Sequence, residues 1–184
     1  MIKSQDIIQL RAFARQDGLL LALFWAISFA ATIYLPDSSV GQFLILATPF
    51  FIWWRLASFR NSALNGVISY LRAWAYTMHT IFYAALVFAV VQYIYFRYLD
   101  NGRFVMQLTQ ALDIMRSISQ DNPQDTQMPL MLKRMEASVD ELRQSTPIEI
   151  TFIFMMMHLW MGFFISFVIA AFGKKSDKRI TTND

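Results

Sequence analysis

The sequence predicts an all-α integral membrane protein with four transmembrane helices in a single domain. Hydrophobic residues make up 56% of the chain and charged residues only 16%, whereas a soluble domain carries roughly 25% charged residues. The charges are clustered and leave four long apolar runs, and a helix needs about 20 such residues to cross a bilayer core. We therefore predict spans at residues 18–36, 39–55, 73–97 and 148–173.

An amphipathic helix is predicted ahead of the first span. Ile7, Leu10 and Ala14 approximate one helical face, whereas Lys3 and Arg11 lie elsewhere on the wheel. Such a segment is typical of a helix that lies in the membrane interface. A cleaved signal peptide is the alternative, because small residues occur late in the first apolar run. The run is longer than the usual about 7–15 residues of a signal peptide, which favours a retained span.

Two spans carry small residues at every fourth position, a spacing that lets helix backbones approach closely in lipid. We predict that these two faces pack against each other and join the first helix to the fourth. The packing residues are Gly18, Ala22, Ala26 and Ala30 in the first span, and Gly162, Ser166 and Ala170 in the fourth.

The second span contains Pro49 and ends in Trp53 and Trp54. Proline lacks a backbone N–H and clashes with the preceding turn, so a kink is expected there. A hinge is the alternative interpretation. The paired tryptophans are typical of a membrane–water interface.

A helical hairpin outside the membrane is predicted for residues 98–146. Two stripes at helical spacing, separated by a break at residues 121–123, indicate its two helices. The stripes are Phe104, Leu108, Leu112 and Met115, followed by Met131, Met135, Val139 and Leu142. Thr146-Pro147-Ile148-Glu149 has the sequence of a capping box and starts the fourth span.

The distribution of basic residues predicts the orientation. Lys and Arg occur in the amino-terminal segment, in the segment between spans two and three, and in the carboxyl-terminal segment. The turn between spans one and two has none. The positive-inside rule then places both termini in the cytoplasm. Residues 97–149 contain six basic and eight acidic residues and are expected outside.

A polar stripe descends along the third span and suggests a site. Ser69, Arg72, Tyr76 and His79 are spaced three, four and three residues apart and share one helical face. With Arg60, these residues could surround a lipid phosphate, since guanidinium groups offer paired donors to phosphate. A partner helix is the other ligand that this face fits. Ordinary interfacial anchoring of the same side chains explains the pattern without any ligand.

Catalytic, metal and cofactor sites are not predicted. The chain has no cysteine, which excludes disulfides and thiolate sites. His79 and His158 are expected at depths that differ by roughly 10–15 Å, and the predicted spans hold no acid that would form a relay with them. Each histidine is expected to form an interhelical hydrogen bond. The basic residues are not grouped beside exposed aromatics, so a nucleic-acid partner is not expected.

The third span resembles that of DUF4199, a bacterial inner-membrane family of four-helix proteins of unknown function. The likeness rests on residues 66–74 (GVISYLRAW), on residues 92–96 (QYIYF) and on a glycine-led fourth span that ends in paired lysines. The glycine that often follows the aromatic residue in that family is absent here, because Ala75 follows Trp74. The resemblance implies a bacterial inner membrane and a small accessory protein, sometimes associated with glycosyltransferases that use lipid-linked sugars.

Two functions are compatible with the sequence. The first is a non-catalytic accessory or scaffold subunit that binds membrane lipids and either a second copy or another membrane protein, such as a glycosyltransferase. The alternative is a small oligomeric transporter or lipid-moving protein with a headgroup site at the cytoplasmic end of the third helix.

Overall fold

The computed structural model describes residues 4–121 and 127–175 of the chain, and it confirms the all-α class. The helices are α1 (Ser4–Tyr34), α2 (Val40–Ala63), α3 (Tyr70–Ile94), α4 (Arg103–Asp121), α5 (Met128–Gln144) and α6 (Pro147–Gly173), and a π-helical turn (Tyr95–Leu99) extends α3.

Four of these helical segments are long and apolar enough to cross a membrane: Ile7–Tyr34, Val40–Ala63, Tyr70–Leu99 and Pro147–Gly173. The prediction of four spans is therefore confirmed, but two boundaries differ by eight residues or more. The amphipathic amino-terminal stretch is the first part of α1 and not a separate helix. Helix α2 continues past the predicted end at residue 55 as far as Ala63. In both places a charged residue lies within a continuous helix and does not end it.

The chain forms two compact units. The membrane unit comprises the residues up to Val91 together with those from Phe154 onward, and the hairpin unit comprises Gln92–Ile153.

In the membrane unit, α1 and α2 form an antiparallel pair joined by a short turn. The Ser28 hydroxyl donates to the carbonyl of Gly41 over 2.9 Å, and the Trp25 indole N–H donates to the Thr48 hydroxyl over 3.2 Å. Glycine is required at position 41, because a Cβ there would lie 2.2 Å from the Thr32 hydroxyl. Polar side chains thus connect the two helices along the interface.

Helix α3 lies against both small-residue faces. A Cβ on Gly18 would meet the Thr80 carbonyl oxygen at 2.9 Å, and a Cβ on Gly162 would meet the side chain of Ile81 at 2.3 Å. The two glycines therefore approach α3, and the pairing of the two faces with each other stays a prediction. Among the other packing residues, Ala22, Ser166 and Ala170 are buried and Ala26 is partly buried, whereas Ala30 is exposed.

The hairpin unit begins where α3 ends in its π-helical turn. Asn101 and Gly102 both adopt positive φ angles, of 46° and 79°, which stop the helix. The carboxylate of Asp100 then accepts hydrogen bonds from the backbone N–H groups of Gly102 and Phe104, and so caps the start of α4.

Helices α4 and α5 pack around a small apolar core. Its buried residues are Leu112, Leu132 and Val139, with Leu108, Met115 and Met135 packed around them. The predicted helical hairpin is confirmed, except that Leu132 and not Met131 faces the core. Half of the predicted capping box is observed, because the Thr146 N–H donates to the Glu149 carboxylate over 2.7 Å. The Thr146 hydroxyl donates to the same carboxylate.

Candidate functional site

A buried ion pair joins three helices of the membrane unit. Asp17 of α1 is only 1% exposed, although a carboxylate is among the residues least often buried. The Arg55 guanidinium of α2 donates from Nε to Asp17 Oδ1 over 2.7 Å and also contacts that oxygen through a terminal nitrogen. The hydroxyl of Tyr76 of α3 donates to the other carboxylate oxygen. One carboxylate therefore holds partners from two other helices.

The helical period accounts for the burial of Asp17. Leu10, Ala14, Leu21 and Trp25 are buried at spacings of three, four, seven or eight residues from it. These residues share the face of α1 that packs into the core. This helical spacing of apolar residues around Asp17 is present in the sequence. The expectation that no acid lies inside a span did not take it into account. That expectation is wrong, because Asp17 lies within the apolar segment Ile7–Tyr34.

Aromatic rings enclose the ion pair. The ring of Phe59 stacks on that of Tyr76 with centroids 4.5 Å apart and planes 3° apart. Phe13 packs against Phe59 at 5.2 Å. Tyr76 is 0% exposed, whereas the Arg55 side chain retains 19% exposure. The rings exclude water from the carboxylate, which strengthens its attraction to the guanidinium.

A second set of polar contacts includes the carboxyl-terminal end of α6. The Arg60 guanidinium donates to the carbonyl of Gly173 over 3.0 Å. Cations are favoured at helix carboxyl ends, where carbonyls lack helical partners. Ile68 and Lys175 exchange two backbone hydrogen bonds of 3.0 Å as an isolated antiparallel bridge. The end of α6 is thus attached to α2 and to the segment before α3.

We call Asp17, Arg55, Tyr76, Arg60 and the Ile68–Lys175 bridge the polar junction. It connects all four helices of the membrane unit at the end where α2 and α6 terminate and α3 begins. Its Asp and Arg pair is electrically neutral, and both carboxylate oxygens accept bonds from protein donors. The polar groups of this junction bond across different segments of the membrane unit, and these bonds hold its helices together.

The residues of the predicted polar stripe have separate roles in the structure. The Ser69 hydroxyl is the acceptor for the Arg72 backbone N–H at 3.4 Å, at the start of α3. Arg72 is half-buried, and Tyr76 points into the core. His79 is partly buried and its Nδ1 donates to the Ala75 carbonyl over 2.7 Å. A headgroup role for this set and for Arg60 stays a prediction. The hydroxyl of Tyr76 already donates its hydrogen bond to Asp17.

The two histidines bond within their own helices. His158 Nδ1 donates to the Phe154 carbonyl over 2.7 Å, as His79 does to Ala75. The expected interhelical hydrogen bonds are not the ones observed. His158 does make an interhelical contact through its ring, which lies 4.7 Å from Trp25 and 5.3 Å from Phe88. Within residues 4–121 and 127–175, no group of three acidic or histidine side chains is arranged to hold a metal ion.

The fold and the polar junction define a multi-pass, all-α membrane protein whose helices are joined by buried polar contacts. The chain matches the model of the family described as "Protein of unknown function (DUF4199)" over residues 16–175, and it belongs to that family. No curated protein and no solved structure matches the chain significantly.

Proposed function

We propose that the chain is a non-catalytic accessory or scaffold subunit of an assembly in the bacterial inner membrane, with both termini in the cytoplasm. The observation that carries this proposal is the exposed aromatic face of α6. Trp160 is 61% exposed, Phe164 62% and Met161 56%. Trp, Phe and Met are enriched in protein interfaces, and this face is available for contact with a second membrane protein.

The rings on this face support one another. Trp160 stacks on Phe164 with centroids 6.4 Å apart, and Phe163 packs edge-on against Phe167 at 4.9 Å. Trp74 of α3 stacks on Phe167 at 5.6 Å. Side chains already held by neighbours lose little conformational freedom when a partner docks, which favours binding.

The polar junction supports a scaffold more than a chemical role. Its carboxylate and its two guanidinium groups bond to other helices of the same chain. The same end of the membrane unit carries the exposed Lys174 and Lys175. Their clustering supports a cytoplasmic location for this end, because basic residues are enriched on that side.

Site-specific photo-crosslinking tests the proposal. A benzophenone amino acid replaces Trp160 or Phe164 in cells, and Phe50 of α2, which is 74% exposed, is the matched control. We expect ultraviolet-dependent adducts with one defined membrane protein from the α6 positions and not from position 50. Enzymes that use lipid-linked sugars are the first candidates among the adducts. Equal, diffuse labelling of lipid at all three positions would refute the proposal.

Movement of a lipid or a small substrate is the alternative function. A flux assay with the purified chain in liposomes distinguishes it. The scaffold proposal predicts no flux above that of protein-free liposomes, and a saturable flux would replace it with the transport function.

A further inference from the structure

The α4–α5 hairpin has two unlike flanks. On one of them, Arg116 donates to Glu136 Oε1 from Nε over 2.9 Å and from a terminal nitrogen over 2.6 Å. On the same flank Arg143 donates to the Thr109 hydroxyl over 3.0 Å. These contacts fix the antiparallel register, since 109 pairs with 143 and 116 with 136. We call this the charged flank.

The register places a different set of residues on the opposite flank. Ala111, Ile114 and Ile118 follow each other at spacings of three and four residues along α4. Met131 of α5 lies beside them, because it is on the side of the core away from Glu136. All four are exposed, Ile114 by 62%, Ile118 by 51% and Met131 by 53%. We call these four residues the apolar flank.

Short connections tie the hairpin to two membrane-spanning segments. Residues 100–102 join α4 to the end of the third span, and residues 145–146 join α5 to the start of the fourth. Exposed apolar side chains reach both connections: Tyr98 is 69% exposed, Leu99 52% and Ile148 60%. The surface of the spans that must face lipid therefore continues to the base of the hairpin.

We propose that the apolar flank rests in the headgroup region of the bilayer from which the third and fourth spans emerge. Amphipathic helices bind there through an apolar face while their charged face stays in water. Arg134 is exposed one turn from Met131 on α5. Its side chain can extend to lipid phosphates while its aliphatic part covers apolar surface.

The size of the apolar flank favours lipid over a second copy of the chain. A stable protein interface takes about 20–30 residues from each partner, whereas this flank offers four. A lipid surface needs no such minimum, because residues 100–102 and 145–146 connect the hairpin directly to two membrane-spanning segments. This inference concerns the hairpin unit alone and does not depend on the scaffold proposal.

Fluorescence of single-cysteine variants tests the inference, and the natural absence of cysteine makes such variants clean. Ile114→Cys, Ile118→Cys and, as control, Asp113→Cys are labelled with an environment-sensitive nitrobenzoxadiazole dye in the full chain. Asp113 is exposed on the charged flank, where its carboxylate accepts a hydrogen bond from Arg116. Its side chain points about 100° away from Ile114 and about 140° away from Ile118 around the helix. The labelled proteins are placed in phosphatidylcholine and phosphatidylglycerol vesicles that contain spin-labelled quencher lipid.

We expect blue-shifted emission and several-fold stronger lipid quenching at positions 114 and 118 than at 113. Water-like emission at all three positions would overturn the inference. So would blue-shifted emission that lipid does not quench, accompanied by disulfide-linked dimers of the Ile118→Cys protein, because a second copy would then cover the flank.

Discussion

The membrane unit and the hairpin unit each contain an arginine paired with a carboxylate, but the two pairs lie in opposite environments. The side chains of Arg55 and Asp17 are 19% and 1% exposed, whereas those of Arg116 and Glu136 are 47% and 40% exposed. Water screens the second pair and competes for its hydrogen bonds, so it contributes little to stability. Loss of one partner in the first pair leaves a charge that has no counter-ion and little contact with water. Burial, and not the chemistry of the pair, therefore determines how much each pair contributes to the stability of the fold.

Removal of the buried carboxylate is predicted to have the largest effect. Asp17→Ala leaves the Arg55 guanidinium and the Tyr76 hydroxyl without their acceptor. We expect a loss of about 3–5 kcal/mol in the free energy of unfolding, the range for a broken buried ion pair. Titration of the protein with SDS in mixed micelles measures this change. A loss no greater than that of Asp113→Ala, a substitution of an exposed acid on α4, would show that Asp17 is not an essential contact.

Removal of one hydroxyl should have a smaller effect. Tyr76→Phe keeps the ring that stacks on Phe59 but removes the hydrogen bond to Asp17. A hydrogen bond to a charged group contributes roughly 1.5–3 kcal/mol, and we expect a loss of unfolding free energy of that order. Tyr98→Phe, at a side chain that is 69% exposed, is the control and should be neutral. Equal effects of the two substitutions would argue against the bond.

A packing variant separates steric from electrostatic contributions. Gly18→Ala places a methyl group 2.7 Å from Tyr83 Cβ and 2.9 Å from a backbone oxygen of α3. Overpacking costs about 1–3 kcal/mol, and the same SDS titration should show a loss in that range. Ala30→Leu belongs to the same small-residue series but lies on an exposed position, so it should be tolerated. Destabilisation by both substitutions would mean that the whole series is a packing face.

Disruption of the exposed pair should have the smallest effect. Glu136→Gln removes the negative charge that faces Arg116 on the surface of the hairpin, where the carboxylate of Glu136 raises the pKa of Arg116. We expect no change in melting temperature beyond experimental error at 0.15 M salt, since charges there are screened over about 8 Å. A clear loss that persists in 1 M salt would show that this pair matters as much as the buried one.

Local features could be predicted from the sequence, and contacts between helices could not. The capping box at Thr146 and Glu149 depends on residues three apart, so its pattern was sufficient. The packing role of Gly18 follows from its spacing, but its partner depends on how helices pack together. Tyr76 lies on the predicted polar stripe, yet helix packing turned it into the core. Met131 was placed on the core stripe, although Leu132, one position later, occupies it.

Asp17 shows what sequence reasoning missed and why. The sequence-based prediction begins the first span at Gly18, because a charge usually marks the end of an apolar run. The signal that the prediction did not use is a series of apolar residues at helical spacing from Leu10 to Trp25. Asp17 is in phase with this series, and the structure buries both the series and Asp17. A charged residue in phase with an apolar face indicates a buried charge with a partner. For the same reason, the prediction ends the second span at Arg55, the partner of Asp17.

A double-mutant cycle on Asp17 and Arg55 tests the central claim most directly. The unfolding free energies of Asp17→Ala, Arg55→Ala and the double variant are measured in the same mixed micelles. If the two groups form a buried pair, the double variant loses less stability than the sum of the single losses, by about 1–3 kcal/mol, as coupled neighbours do. Additive losses, within about 0.5 kcal/mol, would contradict the polar junction as the contact that holds these helices together.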